Sequence, residues 1–216
     1  MLQNESFDYD GQTKRLNVGT FNVNYQVNLP KLADYLMTLN PLDVNPLDVV
    51  CIQEMSYDQI RRFLGLLKSR GCPWSYCGRS PRCRSFILST FPIKEVAKKC
   101  FHRGKKQVSR NHEFVTVKLL GLFLTCLHLD AKEETIRLEQ LEELVNAFKE
   151  LEVWEDSHIL AGDFNSVTKE DYKDTEWTVV KKDRKKLHTK STEYDNEPKV
   201  DVAAKMVELG FSDCWV

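Results

Sequence analysis

The order of strands and helices in the first third of the chain is the feature that most constrains the fold. Residues 16–22 alternate apolar and polar side chains as a strand does, and residues 29–39 carry leucines at helical spacing. A second apolar strand follows at 48–53, and Ser56 and Gln59 have the spacing of a capping box. A strand-helix-strand-helix order predicts an α/β fold.

The remaining elements agree with this class. The pattern predicts strands at 85–89, at 93–101 as a sheet edge, and at 114–120 and 122–128 as a hairpin around Gly121. It also predicts helices at 135–151 and 202–209, separated by an apolar strand that begins at Ile159. We expect residues 1–14 to be a disordered lead-in, 15–216 to form one domain, and the charged segment 167–199 to run over the surface.

Composition narrows the classes of protein to consider. The 216 residues have a net charge of −1, which argues against a whole-molecule field that attracts nucleic acid. Local basic clusters that could contact a polyanion remain: Arg79, Arg82 and Arg84; Lys98, Lys99, Arg103, Lys105, Lys106 and Arg110; Lys181, Lys182, Arg184, Lys185 and Lys186. No apolar run is long enough for a membrane span, and the polar, acidic start is not a signal peptide. We therefore expect a cytoplasmic or nuclear protein.

The cysteines and one short duplication suggest no chemistry. Without an export signal, the seven cysteines are expected to be reduced. Cys72, Cys77 and Cys83 cluster, but no Cys-x2-Cys pair accompanies them, so a zinc site is disfavoured. The unit Asn-Pro-Leu-Asp-Val occurs twice in tandem from Asn40, as a loop duplication to which we assign no function.

Polar residues follow several predicted strands at the point where each strand ends. They are Asn22, Glu54, His128, and Asp163 with Asn165. Each has an ordinary alternative: a turn residue, a carboxylate at the start of a helix, or a buried structural histidine. Ligands of open α/β sheets collect at the carboxyl ends of strands, so their joint occurrence there indicates a site.

The residue types at these strand ends suggest metal-assisted hydrolysis of a phosphoester. Glu54 is a hard oxygen ligand suited to Mg2+ or Mn2+. His128 could donate to a phosphate oxygen, and the amides of Asn22 and Asn165 could orient phosphate, water or metal. Asp163 could accept a proton from an attacking water. No Ser-His-Asp arrangement or phosphate-binding glycine loop is evident.

A set of short motifs resembles the endonuclease/exonuclease/phosphatase (DNase I-like) superfamily. In chain order the motifs are Thr20-Phe21-Asn22, Ile52-Gln53-Glu54, the string from Phe86 to Ile93, Leu127-His128-Leu129 with Arg137 and Gln140-Leu141, and Gly162-Asp163-Phe164-Asn165. The resemblance implies a four-layer α/β sandwich with two packed mixed sheets and helices outside. It also implies hydrolysis dependent on Mg2+, with Mn2+ possible.

The resemblance also assigns roles to the strand-end residues. Glu54 would hold the metal with Asn22 close by. Asp163 would position or deprotonate the attacking water, and with His128 it forms the catalytic pair. Asn165 and His128 would contact the scissile phosphate, and Asn22 would also bind the substrate.

One part of the family pattern is missing. After the Gly-Phe-x-Asp segment, here Gly210-Phe211-Ser212-Asp213, the family continues into further strands and a closing Ser-Asp-His motif. No histidine of this sequence is preceded by Ser-Asp. We therefore expect a C-terminally truncated member that lacks its final strands, or alternatively a degenerate member. In either case we expect poor stability and weak activity or none.

Three hypotheses for the function follow. The first is a phosphodiesterase that acts on nucleic acid or nucleic-acid end adducts, which is favoured by the motif set and the local basic clusters. The second is a sphingomyelinase-like or phosphoinositide hydrolase, because the superfamily does not fix the substrate. The third is a non-catalytic binding module or inactive fragment.

Overall fold

The chain divides into two compact units. The first comprises Met1–Phe101, Val108–His128 and Glu155–Asp163, and the second comprises His102–Gln107, Leu129–Trp154 and Phe164–Val216. The computed structural model describes residues 2–9, 12–38, 47–72, 74, 76–79, 84–103, 107–167, 172–188 and 200–212. Most of the doubled Asn-Pro-Leu-Asp-Val segment lies outside the described residues, as do Arg82, Cys83, Lys105, Lys106 and Asp213.

A mixed five-stranded sheet with two helices forms the first half of the first unit. Its elements in chain order are β1 (Leu2–Tyr9), β2 (Gln12–Asn22), α1 (Leu29–Thr38), β3 (Val49–Gln53), α2 (Tyr57–Ser69), β4 (Tyr76–Arg79) and β5 (Phe86–Ser89). The strand order is β1-β2-β3-β5-β4, in which β2 and β3 are parallel and the other pairs are antiparallel. A parallel pair requires a crossover connection, which α1 provides.

A four-stranded sheet completes the first unit. Its strands are β6 (Lys94–Arg103), β7 (Gln107–Leu119), β8 (Leu122–His128) and β9 (His158–Asp163), in the order β6-β7-β8-β9. A tight turn joins β7 to β8, with Leu120 at φ 49° and Gly121 at φ 87°, the positive values that two-residue hairpin turns need. Strands β8 and β9 are parallel.

Apolar side chains on both faces of the first sheet explain how the layers hold together. The inner faces of the two sheets share a buried core that includes Val18, Val49, Cys51, Val115, Leu124, Cys126 and Ile159. The opposite face of the first sheet packs on α1 and α2 through Leu36, Ile52, Ile60, Phe63, Leu67 and Phe86. Burial of side chains of this size stabilises the fold by about 1.5–3 kcal/mol each.

Helix α2 begins as its sequence predicts. The Ser56 side chain accepts the Gln59 backbone N–H, and the Gln59 side chain accepts the Ser56 N–H, which completes the capping box. From this start, the apolar residues at helical spacing face the first sheet. The cap thus fixes where the chain turns away from the end of β3.

The described residues of the second unit form helices α3 (Glu134–Glu150), α4 (Asp174–His188) and α5 (Asp201–Glu208). Helices α3 and α5 are in contact, and the Glu134 carboxylate accepts the backbone N–H of Val202 at the start of α5. This bond satisfies one of the free N–H groups at the α5 N-terminus. Trp154 and Phe211 meet edge to face, with ring centroids 6.1 Å apart.

The predicted α/β class, with two packed mixed sheets and flanking helices, is confirmed. Two segments differ from expectation. Residues 2–9 form β1 against β2, where a disordered lead-in was expected. The missed signal is Asp10-Gly11 between the two strands, a dipeptide typical of hairpin turns.

The charged segment 167–199 contains a helix, α4, where a surface excursion without regular structure was expected. Its buried anchor is Trp177, whose ring lies 5.8 Å from that of Tyr172. Lysine is a good helix former, and the acidic residues Asp174 and Glu176 in the first turn complement the helix dipole. A mostly exposed helix of this kind carries little apolar periodicity.

Within the described part of the chain, no helix is both long and apolar enough to cross a membrane.

Candidate active site

Four polar side chains of the first unit lie at the carboxyl ends of four strands. Asn22, His128 and Asp163 are the last residues of β2, β8 and β9, and Glu54 directly follows β3. The register pairs Asn22 with Gln53 in the parallel β2–β3 ladder, and His128 with Asp163 in the parallel β8–β9 ladder. Parallel strands end at the same edge, so each ladder delivers two of these side chains together.

The Asn22 side chain joins the two carboxylates. Its amide nitrogen donates to Glu54 Oε1 at 3.0 Å and to Asp163 Oδ2 at 2.7 Å. The bond to Asp163 runs from the first sheet to the second. The Asn22 amide oxygen accepts the backbone N–H of Asn24 at 2.9 Å, which fixes the orientation of the amide. A neutral donor between two acceptors reduces their mutual repulsion.

His128 faces the same two carboxylates. Its Nε2 lies 3.6 Å from Glu54 Oε1 and 3.9 Å from Asp163 Oδ2, and its side chain is 3% exposed. The His128 ring contacts the His112 ring edge to face, with centroids 5.3 Å apart. Neither ring nitrogen of His128 makes a hydrogen bond to any residue that the structure describes. Leaving a buried polar group without a partner costs about 1–3 kcal/mol, so this ring is not placed there by stability alone.

The backbone at Glu54 is left-handed, with φ at 63°. Residues other than glycine adopt this conformation at a cost of about 1–3 kcal/mol, and such residues cluster at functional sites. The next residue, Met55, donates its N–H to the Arg84 carbonyl at 3.0 Å, so the surrounding chain holds the turn in place. The side chain of Glu54 is thereby directed to the strand ends instead of continuing the β3 alternation.

Gly162 allows β9 to approach β8 just before Asp163. Its φ is 149°, and a Cβ at this position would lie 2.0 Å from the Leu127 carbonyl oxygen. Gly162 and Leu127 are paired in the β8–β9 ladder. Any side chain here would push the strands apart and shift Asp163 relative to His128.

Asn165 belongs to the second unit and follows Asp163 by two residues. Its side-chain nitrogen donates to the Leu129 carbonyl at 2.8 Å, and its φ is 49°. Within its unit, Asn165 therefore holds the chain that follows β9 against the chain that follows β8. Its predicted contact with the substrate phosphate stays a prediction.

Arg137 and Gln140, which belong to the motif that resembles the family, have a structural role in the second unit. Arg137 is fully buried; its Nε and Nη2 donate to Glu134 Oε2 at 2.6 and 2.5 Å, and its Nη1 donates to the Asp130 carbonyl at 2.9 Å. The Gln140 side-chain oxygen accepts the Asp130 N–H at 2.8 Å. These side chains of α3 hold the loop that begins directly after His128.

Three residues beside Glu54 were not predicted as a group. The Arg84 guanidinium carbon lies 4.6 Å from the centre of the Tyr25 ring, and the Arg84 N–H donates to Glu113 Oε1 at 2.5 Å. Burial raises the pKa of Glu113 to about 7, although the bond from Arg84 opposes this shift. Burial also raises the pKa of Tyr25, and the nearby Glu54 carboxylate adds to that effect. Of the three, only Arg84 stood out in the sequence, as part of a basic cluster.

The oxygen atoms at this edge fit a hard divalent cation. Glu54 Oε1 and Asp163 Oδ2 both face the Asn22 amide nitrogen, so two carboxylate oxygens point at one position. Mg2+ usually takes one or two carboxylates and keeps several waters. Within the described residues, no group of three His, Cys, Asp or Glu side chains is placed to hold a metal ion. An amide binds a metal through its oxygen, so Asn22 would have to turn to become a ligand.

Comparison with known proteins agrees with the fold. The model of the endonuclease/exonuclease/phosphatase family matches residues 19–178. Comparison with curated proteins gives no significant match. Among solved structures, an endonuclease/exonuclease/phosphatase family protein from Bacteroides thetaiotaomicron is 18% identical, with a TM-score of 0.50 over 76% of this chain and 65% of that one.

Two further solved structures are similar at lower TM-scores. Humanized D. rerio TDP2 is 22% identical, with a TM-score of 0.46 over 76% of this chain and 66% of that chain. A mannosyl-6-phosphatase from Bacteroides thetaiotaomicron is 18% identical, with a TM-score of 0.49 over 70% of this chain and 66% of that chain. The matched part of this chain thus spans at most 66% of each of these three proteins. Because the family model covers most of the sequence, this chain belongs to the endonuclease/exonuclease/phosphatase family, a family of phosphoesterases.

Proposed function

We propose that this chain is a phosphodiesterase that uses a divalent cation, Mg2+ or alternatively Mn2+, to hydrolyse nucleic acid or nucleic-acid end adducts. One observation carries the proposal: the Asn22 amide joins Glu54 to Asp163 beside His128. Two carboxylates and an imidazole at one strand edge are the groups that metal-assisted hydrolysis of a phosphoester requires.

Glu54 is the proposed cation ligand, with Asn22 beside it. The bound cation supplies positive charge that offsets the negative charge of the phosphate as it is attacked. The left-handed backbone of Glu54 directs its carboxylate to the strand edge, where it is 15% exposed. A carboxylate held in this way needs little rearrangement to bind a cation from solvent.

Asp163 is the proposed base that orients the attacking water and accepts its proton. Its side chain is 27% exposed, so water can reach it, and the hydrogen bond from Asn22 fixes the orientation of Oδ2. Because the carboxylate is planar and rigid, the same hydrogen bond also restricts the position of its other oxygen, Oδ1. A general base must be within hydrogen-bond reach of its proton, and this geometry supports that role.

His128 is the proposed donor to a phosphate oxygen. Its Nε2 faces the two carboxylates, and its ring is held by the His112 contact. A donor held in a buried position needs no reorganisation when negative charge develops on the substrate, which is how such groups lower an activation barrier.

The test is hydrolysis by the purified chain with Mg2+, with phosphodiester-linked DNA and RNA, a 5′-end adduct, and vesicles of sphingomyelin or phosphoinositide as substrates. We expect weak metal-dependent turnover of a nucleic-acid substrate, because no histidine of the sequence is preceded by Ser-Asp, and a further loss of at least about 10²-fold in Asp163→Asn. The matched control is Asp58→Asn, since Asp58 is an exposed aspartate in the first turn of α2.

Three outcomes would contradict the proposal. Turnover of lipid alone would favour the phosphoinositide or sphingomyelinase hypothesis. Absence of turnover with any phosphoester, combined with nucleic-acid binding that Asp163→Asn does not alter, would favour a binding module. Equal rates in Asp163→Asn and the wild type would remove Asp163 from the mechanism.

A further inference from the structure

We propose that Tyr25 and Arg84 form a second anion-binding site beside Glu54, which holds a non-reacting phosphate of the substrate. The Arg84 guanidinium stacks on the Tyr25 ring, and Arg84 lies next to Glu54, the residue proposed to hold the cation. The inference rests on the proposed function and extends it. The substrate class it names is a phosphoester that carries a second phosphate close to the scissile one.

The main chain fixes Arg84 next to Glu54. The Arg84 carbonyl accepts the N–H of Met55, the residue that follows Glu54, at 3.0 Å. The Arg84 N–H donates to the buried Glu113 carboxylate at 2.5 Å. Arg84 is therefore anchored through both of its backbone polar groups, and only its side chain is left to adapt to a ligand.

The guanidinium group is pre-oriented by Tyr25. Arg84 Cζ lies 4.6 Å from the ring centre, within the range of a cation–π contact. The Tyr25 carbonyl accepts the Gln59 side-chain nitrogen at 2.8 Å, so the segment that carries the ring is itself tied to α2. The Arg84 side chain also hydrogen-bonds the Tyr25 side chain, which opposes the rise in the Tyr25 pKa that burial causes. The N–H groups of Arg84 that do not take part in this bond can bind phosphate.

The charge of Arg84 is available for a ligand. In the part of the chain that the structure describes, no carboxylate forms a salt bridge with its guanidinium, whereas Arg70 and Arg137 are each paired with a carboxylate. Arg84 is also partly exposed. A stacked, partly exposed cation without a carboxylate partner is the arrangement that binds a phosphate or carboxylate ligand.

The Tyr25–Arg84 site lies close to the candidate active site at Asn22 and Glu54. Tyr25 follows Asn22 by three residues, and Asn24 between them donates to the Asn22 side chain. The Glu54 carboxylate contributes to the raised pKa of Tyr25, behind the larger effect of burial, so the phenol and that carboxylate are close. A chain of nucleotides presents phosphates at regular spacing, so one phosphate at Arg84 would position its neighbour at Glu54.

The experiment compares the binding of two product-like probes by calorimetry, thymidine 5′-monophosphate and thymidine 3′,5′-bisphosphate, in Mg2+ buffer. In the wild type we expect tighter binding of the bisphosphate. Arg84→Gln should weaken binding of the bisphosphate by about 10- to 100-fold and leave binding of the monophosphate unchanged, because a hydrogen bond from a charged donor is lost only with the bisphosphate. Arg62→Gln, an exposed arginine on α2, is the matched control.

Tyr25 supplies a second pair of variants that leave the backbone anchors of Arg84 in place. Tyr25→Phe keeps the ring and should bind the bisphosphate as the wild type does, whereas Tyr25→Leu should weaken it severalfold. Equal weakening of both probes in Arg84→Gln, or no preference of the wild type for the bisphosphate, would overturn the inference. Binding is measured without turnover, so a chain that binds selectively but does not hydrolyse would refute the proposed function alone.

Discussion

His128 in the first unit and Arg137 in the second are both buried polar residues, but their surroundings differ. Arg137 donates through three nitrogens, two of them to Glu134 and one to the Asp130 carbonyl. His128 faces two carboxylates at 3.6 and 3.9 Å, and neither of its ring nitrogens makes a hydrogen bond within the described residues. A side chain whose donors are satisfied stabilises the fold, whereas one with unused donors is available to a substrate. Burial alone therefore does not distinguish structural from functional polar residues.

The largest expected effect tests the structural half of this comparison. Arg137→Met should lower the free energy of unfolding by about 3–5 kcal/mol, because the buried Glu134 carboxylate would lose the positive charge that neutralises it. Urea denaturation followed by circular dichroism measures this change. In the double variant Arg137→Met with Glu134→Gln much of the loss should be recovered. A single variant as stable as the wild type would mean that the pair contributes little.

The next effect tests the functional half. His128→Gln should reduce kcat by about 10²–10³-fold on whichever phosphoester the wild type hydrolyses, through loss of a donor to the phosphate. Its free energy of unfolding should stay within about 1 kcal/mol of the wild type, because no hydrogen bond to the described residues is removed. Steady-state kinetics and urea denaturation of the same preparation give both numbers. A large loss of stability with unchanged kcat would show that His128, like Arg137, is a structural residue.

A smaller effect concerns the pH dependence of stability at Glu113. Its folded-state pKa is raised to about 7, above its ordinary value of 4.5, so the folded protein keeps this proton while the unfolded chain has lost it. The contribution of Glu113 to stability is therefore full below pH 4.5 and decreases as the pH rises to about 7. Glu113→Gln stays neutral and can still accept the Arg84 N–H.

The difference in unfolding free energy between Glu113→Gln and the wild type should shift in favour of the variant by about 2–3 kcal/mol between pH 4.5 and pH 8. Urea denaturation of both proteins at the two pH values measures the shift. A difference that does not depend on pH would mean that Glu113 is ionised throughout this range, with its charge offset by its neighbours.

The smallest expected change in stability separates the cost of the strained Glu54 backbone from the chemical role of its side chain. Glu54→Gly should raise the free energy of unfolding by about 1 kcal/mol, because glycine adopts φ 63° without steric cost and the variant lacks the carboxylate that faces Asp163. The same change should abolish metal-dependent turnover. Thermal unfolding and hydrolysis are the paired measurements. A destabilised Glu54→Gly would show that the carboxylate contributes more to stability than its backbone conformation costs.

The strand ends could be predicted because each depends on a short stretch of sequence. An apolar run followed by a polar residue, as at Asp163, indicates both the strand and its end, and the ladder registers then pair Asn22 with Gln53 and His128 with Asp163. The capping box at Ser56 is equally local, and it is confirmed. Features that depend on residues close together in the chain can therefore be predicted from the sequence.

The group of Tyr25, Arg84 and Glu113 could not be predicted, because its members are far apart in the chain and meet only through the tertiary fold. No periodicity relates a tyrosine after β2 to an arginine before β5. Helix α4 was missed for a different reason. Between Asp174 and Lys182, where burial is described, its surface is mostly exposed and charged like that of a loop, and Trp177 is the buried residue. Contacts between residues far apart in the chain, and a mostly exposed helix, were therefore the features that the sequence did not predict.

The Asn22 amide has a thermodynamic consequence beyond its place in the site. One of its bonds ends on Glu54, next to the first sheet, and the other on Asp163, the last residue of a strand of the second sheet. A cation that draws either carboxylate toward itself competes with this amide for the same oxygens. The affinity for a cation would then depend on the separation of the two sheets at this edge, and a bound cation would change that separation. By reciprocity, the free energy by which a bound cation favours one separation equals the free energy by which that separation favours cation binding.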